Sequence, residues 1–265
     1  MVKDLTGVRS PQRKSMPNTA GSEECAQTSL RGIDRKARQD STHRFRNLYG
    51  ELNTGMLNLA WKKLKKSSAI ADDDITVEEY RKDLEANLES LNERLKQKRY
   101  RAKLIKRRYI PKENGKQRPL GIPALEDKIV QKAAAMILEA IYEPVFHDSS
   151  YGYRPGRGSR DAVSDLTTKL HFGRFGYVVE ADIKGFFDNI NHERLIEMLS
   201  ERINDKAFLG LINKWLKAGI LEPEGHVIHP ETGTPQGGII SPILANLYLH
   251  VVLDEWFENV VKPRL

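Results

Sequence analysis

The chain has 265 residues, of which 39% are hydrophobic and 30% charged, and its formal net charge is +7. This balance is typical of a globular protein with one large domain or two small ones. The sequence contains no run of about 18 apolar residues, so a membrane-spanning helix is not predicted. The opening sequence MVKDLTGVRSPQRKS lacks the apolar core of a secretory signal. The single cysteine, Cys25, has no partner for a disulfide or a cysteine zinc site, so we expect a reducing, cytoplasmic setting.

The first part of the chain predicts a tail followed by helices. Residues 1–45 are polar and show no sustained period, which favours a flexible basic tail. Apolar residues recur at helical spacing over 45–64 and predict a first helix. A clearer helix is predicted over 77–95, where Thr76 and Glu79 form a capping-box pattern at its start.

A strongly basic stretch follows, RLKQKRYRAKLIKRR, residues 94–108, with nine Lys or Arg in fifteen positions and no acid. Two interpretations are open. The cluster could contact a phosphate backbone, or it could be the solvated face of a helix. A solvated face would normally intersperse acidic residues, so their lack favours nucleic-acid binding.

The segment RRYIPKENGKQRPLGIP predicts a β-hairpin with Asn114-Gly115 at its turn, because these residues tolerate positive φ angles. Pro119 has no N–H to give to a strand ladder, so its strand is expected at a sheet edge. Lys112 and Arg118 lie on opposite arms of this hairpin. Close arms would let the two side chains clamp a phosphate, and the alternative is two exposed charges.

The rest of the chain mixes helices with short strands. A buried strand is predicted over 176–183, and a short hairpin near 220–228. Helices are predicted over 126–142, 159–170, 192–203, 205–218 and 242–258, the last with Ser241 as N-cap and Pro242 as first residue. This mixture indicates an α+β or α/β protein.

Asp182 lies at the end of the predicted buried strand. An ionised carboxylate there needs a cation or hydrogen bonds, and Mg²⁺ is one ion that would compensate it. A capping or ion-paired aspartate is the alternative, and the segment alone leaves both open. Gln236 lies in TPQGGIISP, where the following glycines let the backbone come close to a ligand and the glutamine amide can both donate and accept hydrogen bonds. The alternative is a plain turn before a helix.

Four sequence blocks, in this order along the chain, are similar to the successive blocks of a known family: RYIPKENGKQRPLGIPALEDKIVQ, YGYRPGRGS, VVEADIKGFFDNINHERL and GTPQGGIISPILANLYL. Together they resemble reverse transcriptases of the group II intron maturase type, over roughly residues 50–260. The resemblance implies an α+β fold, a right-hand polymerase (reverse transcriptase) with fingers, an incomplete palm and a helical N-terminal extension. The extension and fingers would occupy 46–175 and the partial palm 176–265, after the tail of 1–45.

The resemblance implies an RNA-directed DNA polymerase that extends a DNA primer on an RNA template with dNTP and Mg²⁺, by two-metal phosphoryl transfer. Asp182 is implied as the catalytic metal ligand, assisted by the backbone carbonyl of Ile183. Phe186 is implied as the aromatic gate that crowds the 2′ position of the incoming nucleotide. The other implied nucleotide-binding residues are Lys112, Arg118 and Gln236.

The basic stretch and the Arg-rich loop YGYRPGRGS are expected to face template, primer or intron RNA. The residues assigned to this contact are Arg99, Arg101, Lys103, Lys106, Arg107, Arg108, Arg154, Arg157 and Arg160.

The family also implies a second acidic element, a Tyr-x-Asp-Asp turn after the helix over 242–258, and the sequence contains none. The Asp-Asp pairs of IADDDIT, residues 70–76, precede all four blocks and are interpreted as a favourable helix start. Glu180 and Asp188 are further candidates, although Asp188 is expected to cap or pair locally. We therefore expect little or no polymerase activity from this chain alone, unless a second chain supplies the rest of the palm.

Three hypotheses follow for function. The chain is the amino-terminal part of a group II intron reverse transcriptase, whether truncated, excised or half of a split enzyme. Alternatively, it is a non-catalytic, maturase-like splicing module that binds intron RNA, or a gene remnant whose partial palm does not fold stably. Salt-dependent affinity for intron RNA that Asp182→Ala leaves unchanged would favour the splicing module.

Overall fold

A computed structural model describes residues 19–64, 76–111, 115, 117–173, 176–235 and 237–264 of the protein. The helices are α1 (Thr19–Gln39), α2 (Thr54–Lys63), α3 (Val77–Lys82), α4 (Leu84–Lys96), α5 (Leu125–Tyr142), α6 (Ser159–Phe172), α7 (His192–Arg202), α8 (Lys206–Leu216) and α9 (Ser241–Leu249). The strands are β1 (Ile105–Pro111), β2 (Gln117–Ile122), β3 (Ile220–Leu221) and β4 (Val227–Ile228). None of the described helices combines the length and the apolar character needed to cross a membrane.

Helix α1 corrects the expectation of a flexible tail over 1–45. Ala26 and Ala37 are buried in the core, and Leu30 and Ile33 pack partly against it. These four residues step by four, three and four, so they form one apolar stripe on the helix. The stripe is weak in sequence because two of its members are alanines.

Helices α1 and α2 approach closely at Gly55. A Cβ at this position would lie 2.2 Å from the carbonyl oxygen of Ser22, which is a backbone atom and cannot move aside cheaply. Gly55 therefore serves the helix contact, although in sequence it only lowers the helical propensity of its segment.

Helix α5 is the centre of the hydrophobic core and packs against α1, α2 and α9. Ile129, Val130, Ala133, Ile137 and Ile141 are completely buried. A helix that is apolar on most of its surface requires neighbours on several sides. This arrangement fixes both the N-terminal helices and α9 to one element.

A buried polar network joins α5 to the segment before β1. The hydroxyl of Tyr100 donates to Oδ1 of Asp127, and the backbone N–H of Lys103 donates to Oδ2 at 2.9 Å. The indole N–H of Trp215, on α8, donates to the Tyr100 hydroxyl at 3.1 Å. Burial raises the pKa of Asp127 to about 6, against the opposing effect of these hydrogen bonds.

The sheet has the strand order β2-β1-β3-β4, which puts β2 and Pro119 at an edge as predicted. Strands β1 and β2 are antiparallel, and Arg118 pairs with Ile110. Strands β1 and β3 are parallel, and Ile105 pairs with Ile220. The sheet therefore crosses the boundary that the resemblance implies at residue 175.

Two helix boundaries differ from the predictions. The helix predicted over 77–95 is two helices that meet at Asp83, although the capping box of Thr76 and Glu79 is confirmed. Ser241 is the first residue of α9 and does not cap it. Its hydroxyl donates to the carbonyl of Pro235 at 3.0 Å instead, which ties the helix start to the preceding loop.

The segment 176–183 corrects the prediction of a buried strand. It forms no strand, and the side chains of Tyr177 and Val179 are 94% and 92% exposed. Among the described residues no strand lies beside it to accept a ladder of hydrogen bonds, so its apolar sequence alone does not fix a strand. Asp182 is consequently exposed rather than placed at the end of a buried element.

Candidate nucleotide and metal site

Helix α9 continues as further helical turns to residue 264, and we call the stretch 241–264 the C-terminal helix. A cleft of about 670 Å³ lies between the edge strand β2, the segment 181–188 and this C-terminal helix. Small-molecule sites usually have volumes of about 300–1,000 Å³, so the cleft is of the right size for a nucleotide. Four predicted site residues, Arg118, Asp182, Ile183 and Phe186, line it together. Their convergence from separate parts of the sequence makes this cleft the candidate functional site.

The cleft offers oxygen ligands for a hard divalent cation. Asp182 and Asp188 are exposed carboxylates in its lining, and Ile183 lies beside Asp182. Carboxylate and carbonyl oxygens suit Mg²⁺, which keeps several waters and uses few protein ligands. The described residues of the cleft therefore fit one such cation, and Asp188 lines the cleft together with Asp182.

Phe186 is held in place by aromatic packing. It begins the short 3₁₀ turn Phe186–Asp188, directly after Gly185, whose φ is +62°. Its ring centroid is 5.7 Å from that of Phe187 and 6.2 Å from that of Tyr248 on α9. A ring fixed in this way presents a rigid apolar wall to the cleft.

The segment 187–191 is tied to the loop before α9 by backbone hydrogen bonds. The N–H of Gly233 donates to the carbonyl of Ile190 at 2.7 Å, and the N–H of Thr234 donates to that of Phe187 at 2.8 Å. The ring Nε2 of His192 lies 2.6 Å from the carbonyl of Gly233. Gly233 permits this contact, because its φ is +86° and an added Cβ would lie 2.8 Å from the Phe187 carbonyl oxygen.

We expect Gly233→Ala to destabilise the protein by about 1–3 kcal/mol, through both positive φ and the clash with backbone carbonyls. Gly225→Ala is the matched control, since Gly225 also has a positive φ, +92°, but has open space around it. Urea unfolding of both variants separates the free-energy cost of the positive φ from that of the clash with the backbone carbonyls. Equal losses in the two variants would show that the close approach at Gly233 contributes nothing.

The Gly237-Gly238 pair holds the next part of this loop against β2 and α5. The φ of Gly237 is +108°, and a Cβ there would lie 2.4 Å from the carbonyl oxygen of Gly121. The side chain of Gln131, on α5, accepts a hydrogen bond from the N–H of Ile239 at 3.0 Å. The loop that carries position 236 thus lies beside the hairpin. Lys112 and Gln236 themselves are outside the described residues.

The basic residues predicted to bind nucleic acid differ in how exposed their side chains are. Exposed residues of the set are Arg99, Arg101, Lys103, Arg108 and Arg160. Lys106 is half-buried, and so is Arg107, whose Nε lies 3.2 Å from Oε1 of the buried Glu222. Tyr109 donates to the other oxygen of Glu222 at 2.9 Å. Because side chains alternate along β1, Lys106 and Arg108 lie on the opposite face from this ion pair.

Arg154 corrects the prediction of a nucleic-acid contact. Its side chain is only 3% exposed and pairs with Glu143 at 2.8 Å. The same guanidinium donates to the carbonyls of His147 and Ser150 at 2.6 and 2.8 Å. Four of the five N–H donors of this buried guanidinium are used inside the protein, so its role is internal rather than contact with a phosphate. Arg157 is more open, and it pairs with Asp148 at 2.6 Å.

Comparison with known proteins identifies the family of the chain. The profile of the family described as reverse transcriptase (RNA-dependent DNA polymerase) matches residues 110–261. The group II intron-encoded protein LtrA of Lactococcus lactis subsp. cremoris is 48% identical over 168 residues, which is 63% of this chain and 27% of the relative. A 91 kDa protein in the cob intron of Schizosaccharomyces pombe is 40% identical over 220 residues, which is 81% of this chain and 26% of the relative.

A chain of a solved partial Cas6-RT-Cas1–Cas2 complex is 26% identical, with a TM-score of 0.47, over 80% of this chain and 34% of that chain. The present chain spans about a quarter of the length of the two curated relatives. The family profile, in contrast, matches more than half of the chain. The protein therefore belongs to the reverse transcriptase (RNA-dependent DNA polymerase) family, and its relatives place it with the group II intron-encoded type.

Proposed function

We propose that the cleft binds a deoxynucleoside triphosphate with Mg²⁺, and that the protein extends a DNA primer on an RNA template. The observation that supports this proposal is the convergence of Arg118, Asp182, Ile183 and Phe186 on one cleft. These are the residues for which the family resemblance implies metal and nucleotide contacts. Intron RNA is the proposed template and partner, in keeping with the intron-encoded relatives.

Each of these residues has a distinct task in the proposal. The Asp182 carboxylate and the Ile183 carbonyl would hold the cation, and Asp188, which lines the same cleft, would contribute a further oxygen. Bound Mg²⁺ would neutralise the triphosphate and stabilise the attacking 3′ oxygen. The guanidinium of Arg118 would bind the phosphates, and the Phe186 ring would crowd a 2′ hydroxyl.

The acids of the cleft also bear on the activity of the 265-residue chain. Among the described residues, Asp182 and Asp188 are the carboxylates that line it. Two metal ions need many oxygen ligands in their coordination shells, and two exposed carboxylates with one backbone carbonyl supply few of them. We propose that further carboxylates come from polypeptide outside this chain, and that the chain alone extends primers poorly.

An exposed apolar surface supports the same proposal. Helix α6 has no buried residue, and its Val163 and Phe172 are 62% and 81% exposed. Tyr177 and Val179 follow with still higher exposure, and Trp256 on the C-terminal helix is 50% exposed. Large apolar side chains exposed in such numbers favour a protein surface that covers them. The polypeptide that supplies the further carboxylates is the proposed occupant.

The nucleotide site is testable by calorimetric titration of dATP and ATP in the presence of Mg²⁺. We expect Arg118→Ala to weaken dATP binding by about tenfold or more, since a charge-assisted hydrogen bond is worth about 1.5–3 kcal/mol. Phe186→Ala should reduce the preference for dATP over ATP. Arg160→Ala, an exposed arginine outside the cleft, is the control. Equal weakening by Arg118→Ala and Arg160→Ala would contradict the site.

A non-catalytic RNA-binding function is the second candidate. The exposed cations Arg99, Arg101, Arg108 and Arg160, with the net charge of +7, favour it. Such binding would weaken steeply with salt and would not depend on Asp182. Two results together would favour this candidate. The wild type and Asp182→Ala would bind intron RNA with equal affinity, and the protein would give no primer extension in any assembly.

A further inference from the structure

A second cluster of ligand-type side chains lies away from the cleft residues Arg118 and Asp182. It consists of His147, after α5, and His250 and Glu255 on the C-terminal helix. One ligand atom from each lies within 4.8 Å of the others. The Nε2 of His147 is 3.2 Å from Oε1 of Glu255, and the Nε2 of His250 is 3.6 Å from the same oxygen.

These separations match the spacing of ligands around a tetrahedral ion. Bonds of about 2.0–2.2 Å from zinc to nitrogen or oxygen place neighbouring ligand atoms about 3.4 Å apart. The distances from Glu255 to the two histidines, 3.2 and 3.6 Å, lie on either side of that value. All three ligand atoms lie within 4.8 Å of one another, so side-chain rotations can bring the two histidine nitrogens to the same spacing.

The surroundings of the two histidines support a ligand role. Arg154 holds the backbone carbonyl of His147 at 2.6 Å, and Glu143 neutralises that arginine at 2.8 Å. The Nδ1 of His250 is buried without a hydrogen-bond partner in the described part of the chain, and the nearest carboxylate oxygen, on Asp254, is 3.7 Å away. A metal-bound histidine usually turns its second nitrogen to such a carboxylate.

The local backbone also favours this arrangement. The helix changes to π-helical winding over His250–Asp254, immediately before Glu255. Such π-helical turns are rare in proteins, and those that do occur are often found at functional sites.

We propose that His147, His250 and Glu255 form a site for a first-row divalent metal of the zinc class, with Asp254 orienting His250. Two imidazoles and one carboxylate select zinc over Mg²⁺, which prefers oxygen ligands. The site joins the segment after α5 to the C-terminal helix. Because Leu249 and Leu253 of that helix line the nucleotide cleft, bound zinc would fix one wall of it.

The proposal is tested with untagged protein that has been stripped of metal by a chelator. Zn²⁺ is titrated in competition with a chromophoric chelator, and Co²⁺ is added separately because its visible absorption reports four-coordinate binding. We expect one Zn²⁺ per chain, a higher Tm with Zn²⁺, and no displacement by excess Mg²⁺.

Glu255→Gln and His147→Gln are the test variants, and His226→Gln, an exposed histidine outside the cluster, is the control. Loss of a residue that only orients a ligand weakens metal binding by about 10–100-fold, so loss of a ligand should weaken it at least as much. Glu255 is 46% exposed, and an unchanged Tm of Glu255→Gln without metal would show that it still folds. Equal affinity in all four proteins, or no stoichiometric binding by the wild type, would overturn the proposal.

Discussion

Asp182→Asn should abolish Mg²⁺-dependent primer extension in any assembly of this protein that copies RNA into DNA. The substitution keeps the shape of the side chain and removes the charge that would hold the cation. Metal stabilisation of phosphoryl transfer is worth several kcal/mol, and each 1.4 kcal/mol corresponds to a factor of ten in rate. We therefore expect a loss of about a thousandfold or more, measured as the rate of single-nucleotide addition.

Glu180→Gln is the matched control, because Glu180 is an exposed carboxylate two residues away that does not line the cleft. Its rate should stay close to that of the wild type. Asp188→Asn tests the second carboxylate of the cleft, and a large loss there would make Asp188 a metal ligand. Full activity of Asp182→Asn would contradict the proposed metal site, whereas equal losses in Asp182→Asn and Glu180→Gln would indicate a general effect of charge.

The second large effect concerns the buried carboxyl of Asp127. Its pKa in the folded protein is about 6, above the usual value of about 3.9 in an unfolded chain. Between these two values the folded state binds more protons than the unfolded state, so stability falls as pH rises from about 4 to about 6. Asp127→Asn removes this titration. The free energy of unfolding of the variant, relative to that of the wild type, should rise by up to about 3 kcal/mol between pH 4 and pH 7.

The measurement is the free energy of urea unfolding of both proteins at several pH values across this range. Asp148→Asn is the control, because the Asp148 side chain is 97% exposed. The free energy of unfolding of this control should stay within about 0.5 kcal/mol of the wild-type value. Tyr100→Phe tests the network separately, because it removes the hydroxyl that donates to Asp127 and accepts from Trp215. A constant difference between Asp127→Asn and the wild type from pH 4 to pH 7 would contradict a buried, titrating acid.

The sequence predicted the helical parts of the fold better than its strands. Helices α5 and α7 depend on local spacing, and both are confirmed. The strand predicted over 176–183 failed, because a strand needs a neighbouring strand and its own apolar residues cannot supply one. Helix α1 was missed since its stripe depends partly on alanine.

The candidate site was predictable only in part, for a related reason. Asp182 and Phe186 are recognisable from their sequence block, and the structure brings them into one cleft with Arg118. The internal pairing of Arg154 with Glu143 depends on a three-dimensional contact that no local pattern shows. Gly233 gave a weak signal as a glycine in TGTPQGG, but its contact with the Phe187 carbonyl appears only in the folded chain.

Strand β1 has a mechanical consequence. It pairs with β2 along six residue pairs, from Lys106↔Ile122 to Pro111↔Gln117, but with β3 only at Ile105 and Lys106. In the described part of the hairpin, sheet pairing with another element is therefore confined to its base. Arg118 lies toward the other end, so we expect a change in its position relative to Asp182 to need bending of this one hairpin rather than rotation of a whole domain.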